Sequence, residues 1–301
     1  EAFELVYAYL EAPDMDLEIK RGAMAGLLSN GGIDGVLSAG SKLNLLLESE
    51  NPEERQLAAQ VLGEVGIASF YRPLLKLLED PNLRVRAAAI TASGELKNPR
   101  LLPMLLKHFS VPDLSNVAVT AVTRFGPDIL PDIEAAFDRE DQSREVRVKL
   151  VRIMGKIGGP RAVDILKKKI DFSEEDIRSH VLSSLVSCKY QAEVAEIGTI
   201  HERIQGEVAD ATWTLSVLVD IGEHQEGDIL IRALKSEVEK NRKRIFSLLA
   251  MIHPTNSIVQ AQLNLANNSK DRRANALEML DNILSTDIKN IVFPLLDDIP
   301  S

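Results

Sequence analysis

The sequence predicts an all-α protein, a right-handed α-solenoid in which pairs of short helices stack into a superhelix. Apolar residues recur at helical spacing along the chain, and a helix–turn–helix unit recurs about every 31 residues. The clearest unit is DPNLRVRAAAITASGELKNPRLLPMLLKHF, at residues 80–109. One such pair is too apolar to stand alone in water, whereas stacked copies bury a continuous core.

Residues 1–50 predict helices that do not follow this period. An amphipathic segment ends at Pro13, and two further helices are expected at 16–28 and 33–47. We interpret this stretch as the irregular N-terminal part of a single array that continues to residue 301.

The repeats are regular from residue 51 to residue 190. One column of mostly basic positions recurs at steps of 31, 30, 31 and 31: Arg55, Arg86, Asn116, Arg147 and Arg178. Eight residues after each of these stands a second column, which holds glycine in three of five cases: Gly63, Gly94, Arg124, Gly155 and Val186. The leucine-rich second helices of the pairs are expected at 71–79, 100–109, 128–137 and 161–170.

Two of these units, DPNLRVRAAAITASGEL at 80–96 and SREVRVKLVRIMGKIGG at 143–159, resemble HEAT repeats. The resemblance covers residues 51–190. It implies that the first helix of each pair lies on the convex side of the solenoid and that the second helices line the concave side.

Residues 191–301 predict more helices with a weaker repeat, which we interpret as degenerate repeats and a C-terminal cap of the same solenoid. Glycine, asparagine and proline mark the joints between the expected helices. These helices are expected at 191–205, 207–221, 228–239, 241–252, 257–267, 270–284 and 287–297.

Composition excludes several classes of function. The net charge of −10 argues against general nucleic-acid binding, which needs cations to displace counterions. The single cysteine, Cys188, allows no internal disulfide and suits a reducing compartment. No apolar run is long enough to span a membrane. Because no nucleophile, phosphate-loop or metal-ligand pattern occurs, we expect no catalytic residue, no cofactor and no metal.

The arginine column resembles the aspartate–arginine ladder between neighbouring HEAT repeats. Two aspartates lie six residues before an arginine, so the ladder would consist of Arg55, Asp80, Arg86, Asp141, Arg147 and Arg178. We interpret these residues as structural, since guanidinium groups can satisfy turn and helix-end groups between repeats. A row of arginines that binds a ligand is the alternative.

Two basic sets are candidates for binding a protein partner. Three lysines recur late in the second helices, where they also suit the helix dipole: Lys76, Lys107 and Lys169. The densest basic stretch lies at 232–244, and its members are Arg232, Lys235, Lys240, Arg242, Lys243 and Arg244. A solvated charged face is the alternative for this stretch. Trp213, the sole tryptophan, is expected to anchor the core.

The C-terminal stretch DRRANALEMLDNILSTDIKNIVFPLLDD, at 271–298, resembles the terminal HEAT segment of bacterial nucleotide transporters of the ATP/ADP-translocase type. The matching residues are Ala276, Leu277, Glu278, Leu280, Asp281, Asn282, Leu284 and Pro294 to Asp298. The resemblance implies a cytoplasmic, non-catalytic docking or regulatory domain of a larger membrane-attached protein. The chain begins at Glu1 rather than methionine, which fits such a portion.

Two other functions remain open at this point. A free-standing scaffold that binds a protein is the main alternative, because solenoids present long surfaces to extended partners. An enzyme of the phycobilin-lyase type is a more distant one, since its repeats resemble these but the sequence offers no residue as its catalyst.

Overall fold

The structure, a computed structural model, describes residues 6–9, 15–221, 229–267 and 269–297. Within these ranges the chain forms α-helices and short 3-10 helices and contains no β-strand. The predicted all-α fold class, an α-solenoid of stacked helix pairs, is confirmed. Residues 6–9 are helical, and the rest of the segment expected up to Pro13 lies outside the described residues.

The α-helices that follow are numbered in chain order. They are α1 (Leu17–Asn30), α2 (Gly32–Leu47), α3 (Pro52–Val65), α4 (Tyr71–Leu77), α5 (Leu83–Leu96), α6 (Leu102–Lys107), α7 (Pro112–Thr123), α8 (Leu130–Phe137), α9 (Arg144–Ile157), α10 (Gly159–Lys167), α11 (Glu175–Ser187), α12 (Val194–Ile221), α13 (Ile229–Ile252), α14 (Thr255–Leu265), α15 (Lys270–Ile283) and α16 (Thr286–Asp297). Short 3-10 turns at 68–70, 99–101 and 127–129 lead into α4, α6 and α8.

The chain divides into two compact units, residues 1–153 and 154–301. In the first unit, the first helices of successive repeats (α3, α5 and α7) pack on one another in order, and α1 and α2 pack on α3. In the second unit, α11 and α12 both pack on α13, and α14 joins α13 to α15. That all residues form one continuous array stays a prediction.

Helix starts follow from local capping. The side chains of Asp16, Asn51 and Asn82 each accept a hydrogen bond from a backbone N–H in the first turn of the helix that follows. Such caps satisfy N–H groups that have no partner inside the helix. Helix α3 ends at Gly66, whose φ of 65° is the left-handed conformation that glycine adopts at little cost.

The glycine column allows neighbouring first helices to approach closely. A Cβ placed on Gly63 would lie 2.8 Å from the Cα of Ala92, and one on Gly94 would lie 2.8 Å from the Cα of Ala121. In the second unit a Cβ on Gly155 would lie 2.7 Å from the side chain of Ser184. These glycines lie inside their helices and make room for the next repeat.

The same contacts correct the register of the third repeat. Gly63 contacts Ala92, which lies two residues before the next glycine of the column, Gly94. Gly94 in turn contacts Ala121, so the equivalent position in the third repeat is two residues after Ala121, at Thr123. Thr123 therefore takes the position assigned to Arg124, and Ser115 takes the one assigned to Asn116. Burial agrees, because Ser115 is buried and Asn116 is exposed.

The second helices complete the core of each pair. Leu74 in α4, Leu105 in α6 and Ile133 in α8 occupy similar places and are fully buried. Each of these short helices is covered by the first helices beside it, so its stability comes from packing rather than from its own length.

The second unit holds two long helices where four were expected. Residues 194–221 form one helix of 28 residues, α12, and residues 229–252 form one helix of 24 residues, α13. Gly206 does not break α12, because a glycine inside a helix costs only about 1 kcal/mol. Among the described helices none is both long and apolar enough to cross a membrane.

Candidate partner-binding surfaces

A groove runs across the first helices of the first unit. It encloses about 620 Å³ and is lined by α1, α3, α5 and α7, and we call it the first-helix groove. Its floor is formed by small residues, among them Gly63, Ala87, Ala88 and Ala92. The close approach of α3 and α5 at Gly63 makes this floor narrow.

Polar side chains form the walls of the first-helix groove. Arg21 pairs with Glu18 at 2.8 Å and with Glu64 at 3.2 Å, and Glu95 pairs with Arg124. These pairs leave little net charge at this end of the groove.

Three other residues of the groove walls have side chains without a partner among the described residues. Within the described ranges, the guanidinium of Arg84 and the side-chain amides of Gln56 and Gln60 make no hydrogen bond or ion pair. Gln56 and Gln60 lie one turn apart on α3, while Arg84 faces them from the start of α5. The groove therefore offers both donors and acceptors to a ligand.

The groove lies on the first helices, whereas the family resemblance implied a concave surface lined by the second helices. Small residues bring the first helices close together. Which set of helices lines the concave side of the solenoid stays a prediction. Lys76 and Lys107, on the second helices, are exposed and do not line the groove. Lys76 lies 3.8 Å from Glu48, while Lys169 in the second unit is buried.

The basic stretch at 232–244 divides between surface and interior. Arg232, Lys235, Lys240 and Lys243 are exposed, but Arg242 and Arg244 are only 9% and 1% exposed. The docking role expected for the latter two is therefore wrong. Their face of α13 packs on neighbouring helices, and Arg242 donates a hydrogen bond of 3.0 Å to the carbonyl of Leu295.

Arg244 is the buried centre of an ion cluster that joins α11, α12 and α13. Its guanidinium donates to Glu207 at 2.7 Å, to the Ser179 hydroxyl at 3.1 Å and to Glu175. Glu237 lies 3.6 Å away. Burial and the hydrogen bond with Glu237 raise the pKa of Glu175 above its usual range.

One rung of the expected ladder is formed between neighbouring repeats. Arg55 donates to both carboxylate oxygens of Asp80, at 2.7 and 3.0 Å. Burial alone would raise the pKa of Asp80, but Arg55 and the backbone N–H of Asn82 hold that pKa below its usual range. The sequence paired Asp80 with Arg86, which instead donates to the main-chain carbonyl of Asp80.

The arginine column bonds mainly to turn carbonyls. Arg55, Arg86 and Arg178 each donate to the carbonyl six residues earlier and to the next one. Arg147 donates to the carbonyls of residues 137 and 139 instead. Asp141 is exposed and lies 3.5 Å from Arg139, so its expected part in the ladder stays a prediction.

The third repeat has no arginine in this column, and a lysine takes over the contact. Ser115 stands in the column, and the carbonyl six residues before it is that of Phe109. Lys149, from α9, donates a hydrogen bond to that carbonyl. Sequence reasoning missed Lys149, because nothing in its own repeat marks it as a partner of residue 109.

We expect the arginine column to stabilise the fold. Arg86→Ala should lower the free energy of unfolding by about 1.5 kcal/mol, because it removes charge-assisted hydrogen bonds to two carbonyls. Urea unfolding measures the change. Arg84→Ala, two residues away and without a side-chain partner among the described residues, is the control and should change stability by less than about 0.5 kcal/mol. Unchanged stability of Arg86→Ala together with lost partner binding would favour the ligand-binding alternative.

Two parts of the chain match family models of helical repeats. Residues 42–123 match the family model of HEAT repeats, and residues 146–171 match that of the PBS lyase HEAT-like repeat. A HEAT repeat-containing taxis protein of Halobacterium salinarum is 41% identical over 61 residues, which are 20% of this chain. The match spans only 15% of that relative's own length.

Solved structures with similar folds are distant. The CpcE–CpcF complex of phycocyanin lyase from Nostoc is 19% identical, with a TM-score of 0.37 over 79% of this chain and 94% of that one. Human deoxyhypusine hydroxylase is 16% identical, with a TM-score of 0.31 over 93% and 95%. Kap121p bound to Pho4p is 12% identical, with a TM-score of 0.38 over 98% and 35%. Likeness at this level indicates no shared activity.

The two family matches cover separate parts of the stretch in which helix pairs stack at close-packed glycines. They agree with the resemblance that the sequence motifs indicated. Residues 42–123 are therefore similar to HEAT repeats, and residues 146–171 are similar to the PBS lyase HEAT-like repeat.

Proposed function

We propose that this protein is a non-catalytic interaction module whose first-helix groove binds an extended segment of a partner protein. The observation that carries the proposal is the pairing of a small-residue floor with side chains that have no partner of their own. Such side chains are already positioned to bind, and a narrow floor suits an extended backbone better than a helix.

The wall residues suggest how such a segment would be held. The amides of Gln56 and Gln60 can each donate to a carbonyl and accept from an N–H, so together they suit the main chain of a peptide. Arg84 can bind a carboxylate with two parallel hydrogen bonds. The expected ligand is therefore an extended peptide with an acidic side chain near Arg84.

Selection of peptides from a displayed random library, followed by calorimetry, tests the proposal. Selected peptides should carry an acidic residue, and Arg84→Glu should weaken their binding at least about 10-fold, since a like-charge contact costs several kcal/mol. The matched control is the double variant Lys76→Glu, Lys107→Glu, which changes two exposed cations outside the groove. Lost binding in that variant, with binding retained in Arg84→Glu, would favour the lysines of the second helices instead.

A finer proposal concerns the setting of the domain. The resemblance of α15 and α16 to the terminal segment of ATP/ADP-translocase-type transporters favours a cytoplasmic docking domain of a membrane-attached protein. Ala276, Leu280 and Leu295 are buried, so packing alone also accounts for part of that resemblance. The full reading frame around Glu1 distinguishes a membrane-attached domain from a free-standing scaffold. Encoded membrane helices before Glu1 would support this setting, and a start codon close upstream without them would favour a free-standing scaffold.

A further inference from the structure

Helix α12 exposes the only tryptophan of the chain. Trp213 is 68% exposed, although the sequence predicted it as a core anchor. Its neighbours Ala211 and Thr214 are buried, so the indole points away from the core. A large exposed aromatic is the residue type that most often anchors a protein interface.

Two small residues lie on the same face as Trp213, towards the start of the helix. Gly206 and Ala209 lie seven and four residues earlier, which places them on the same side of the helix, and both are exposed. A Cβ on Gly206 would meet nothing within 4 Å, so the chain's own packing does not require a glycine there. A second helix could approach the backbone of α12 closely at this point.

The same face carries uncompensated negative charge. Glu202, Asp210 and Asp220 are exposed and share this side of α12 with Trp213. In the part of the chain that the structure describes, none of their carboxylates has a hydrogen bond or an ion pair. An apolar anchor between free carboxylates is complementary to a surface that carries apolar residues flanked by cations.

We propose that this face of α12 docks a basic amphipathic helix from a partner protein. The apolar stripe of that helix would cover Trp213 and Gly206, and its lysines or arginines would pair with the three carboxylates. An anionic membrane or a nucleic acid would meet like charge here, and so would a second copy of this chain packed on the same face. This surface lies in the second unit and is independent of the first-helix groove.

The sole tryptophan is also the reporter for the test. The probe is a synthetic helix of about 18 residues of leucine, lysine and alanine, long enough to reach from Glu202 to Asp220 and free of tryptophan. It should produce a saturable blue shift of Trp213 emission that weakens with added salt. The control peptide has glutamate at every lysine position and should produce none.

Three variants locate the site by anisotropy of the labelled lysine peptide. Trp213→Ala should bind at least about 10-fold more weakly, as truncation of an anchor does. Gly206→Leu should also weaken binding, because it fills the open space, and circular dichroism should show an intact helix. Leu263→Ala, which truncates an exposed leucine on α14, should bind as the unchanged protein does.

Three results would overturn the proposal. If the glutamate peptide bound as tightly as the lysine peptide, attraction to the three carboxylates of α12 could not explain the binding. Unchanged binding by Trp213→Ala would place the site elsewhere. A blue shift that rises with protein concentration alone would show that a second copy occupies the face.

Discussion

Arg244→Ala is expected to lower the free energy of unfolding by about 3–5 kcal/mol. Arg244 is 1% exposed, and the side chain of Glu207, which it contacts at 2.7 Å, is 14% exposed. Alanine would leave Glu207 and Glu175 without the cation that compensates their charge. Because the three residues lie on α13, α12 and α11, the loss should loosen the packing of all three helices.

Urea unfolding of the variant measures this cost. Lys243→Ala changes the adjacent cation, which is exposed, and should cost less than about 0.5 kcal/mol. The double variant Arg244→Met, Glu207→Gln should be more stable than Arg244→Ala, because it removes a charge together with its partner. A cost below about 1 kcal/mol for Arg244→Ala would mean that the cluster does not hold these helices together.

Gly94→Ala is expected to destabilise the first unit by about 2–3 kcal/mol. The added Cβ would lie 2.8 Å from the Cα and 3.1 Å from the carbonyl oxygen of Ala121, and backbone atoms cannot move aside as a side chain can. Helices α5 and α7 would have to separate along their contact.

The same substitution elsewhere should have the opposite sign. Gly26 lies inside α1, and a Cβ there would meet nothing within 4 Å. Gly26→Ala should therefore stabilise the protein by about 0.5–1 kcal/mol, through helix propensity alone. Thermal unfolding compares the two variants, and a stabilising effect of both would contradict the close packing at Gly94.

Local patterns in the sequence predicted the helix pairs well. The period of apolar residues identified the repeats, and the helix expected from residue 16 begins at Leu17 in the structure. These signals act within one turn of helix. Contacts between repeats act at longer range, and the one-residue shift at Ser115 became visible only through the contact of Gly94 with Ala121.

Burial of charge and exposure of apolar groups were harder to predict. A basic run such as 232–244 suggests a surface, but Arg242 and Arg244 lie on the face of α13 that packs inward. Trp213 was expected in the core for its size and lies outside. In both cases, whether a residue is buried depends on which side of its helix packs on neighbouring helices. That side could not be predicted, because α12 and α13 were each expected as two shorter helices. The first-helix groove was not predicted either, because its position depends on how helices of different repeats pack on one another.

The contact between Lys149 and the Phe109 carbonyl limits how far the repeats act as separate modules. In the turn before α5, the carbonyl of Asp80 accepts a hydrogen bond from Arg86 of α5 itself. In the turn before α7, the carbonyl of Phe109 accepts one from Lys149 of α9, a later helix. If the start of α9 opened, the Phe109 carbonyl would lose this bond. Local opening of one repeat is thus coupled to the one before it, and amide hydrogens in the two should exchange as one cooperative unit.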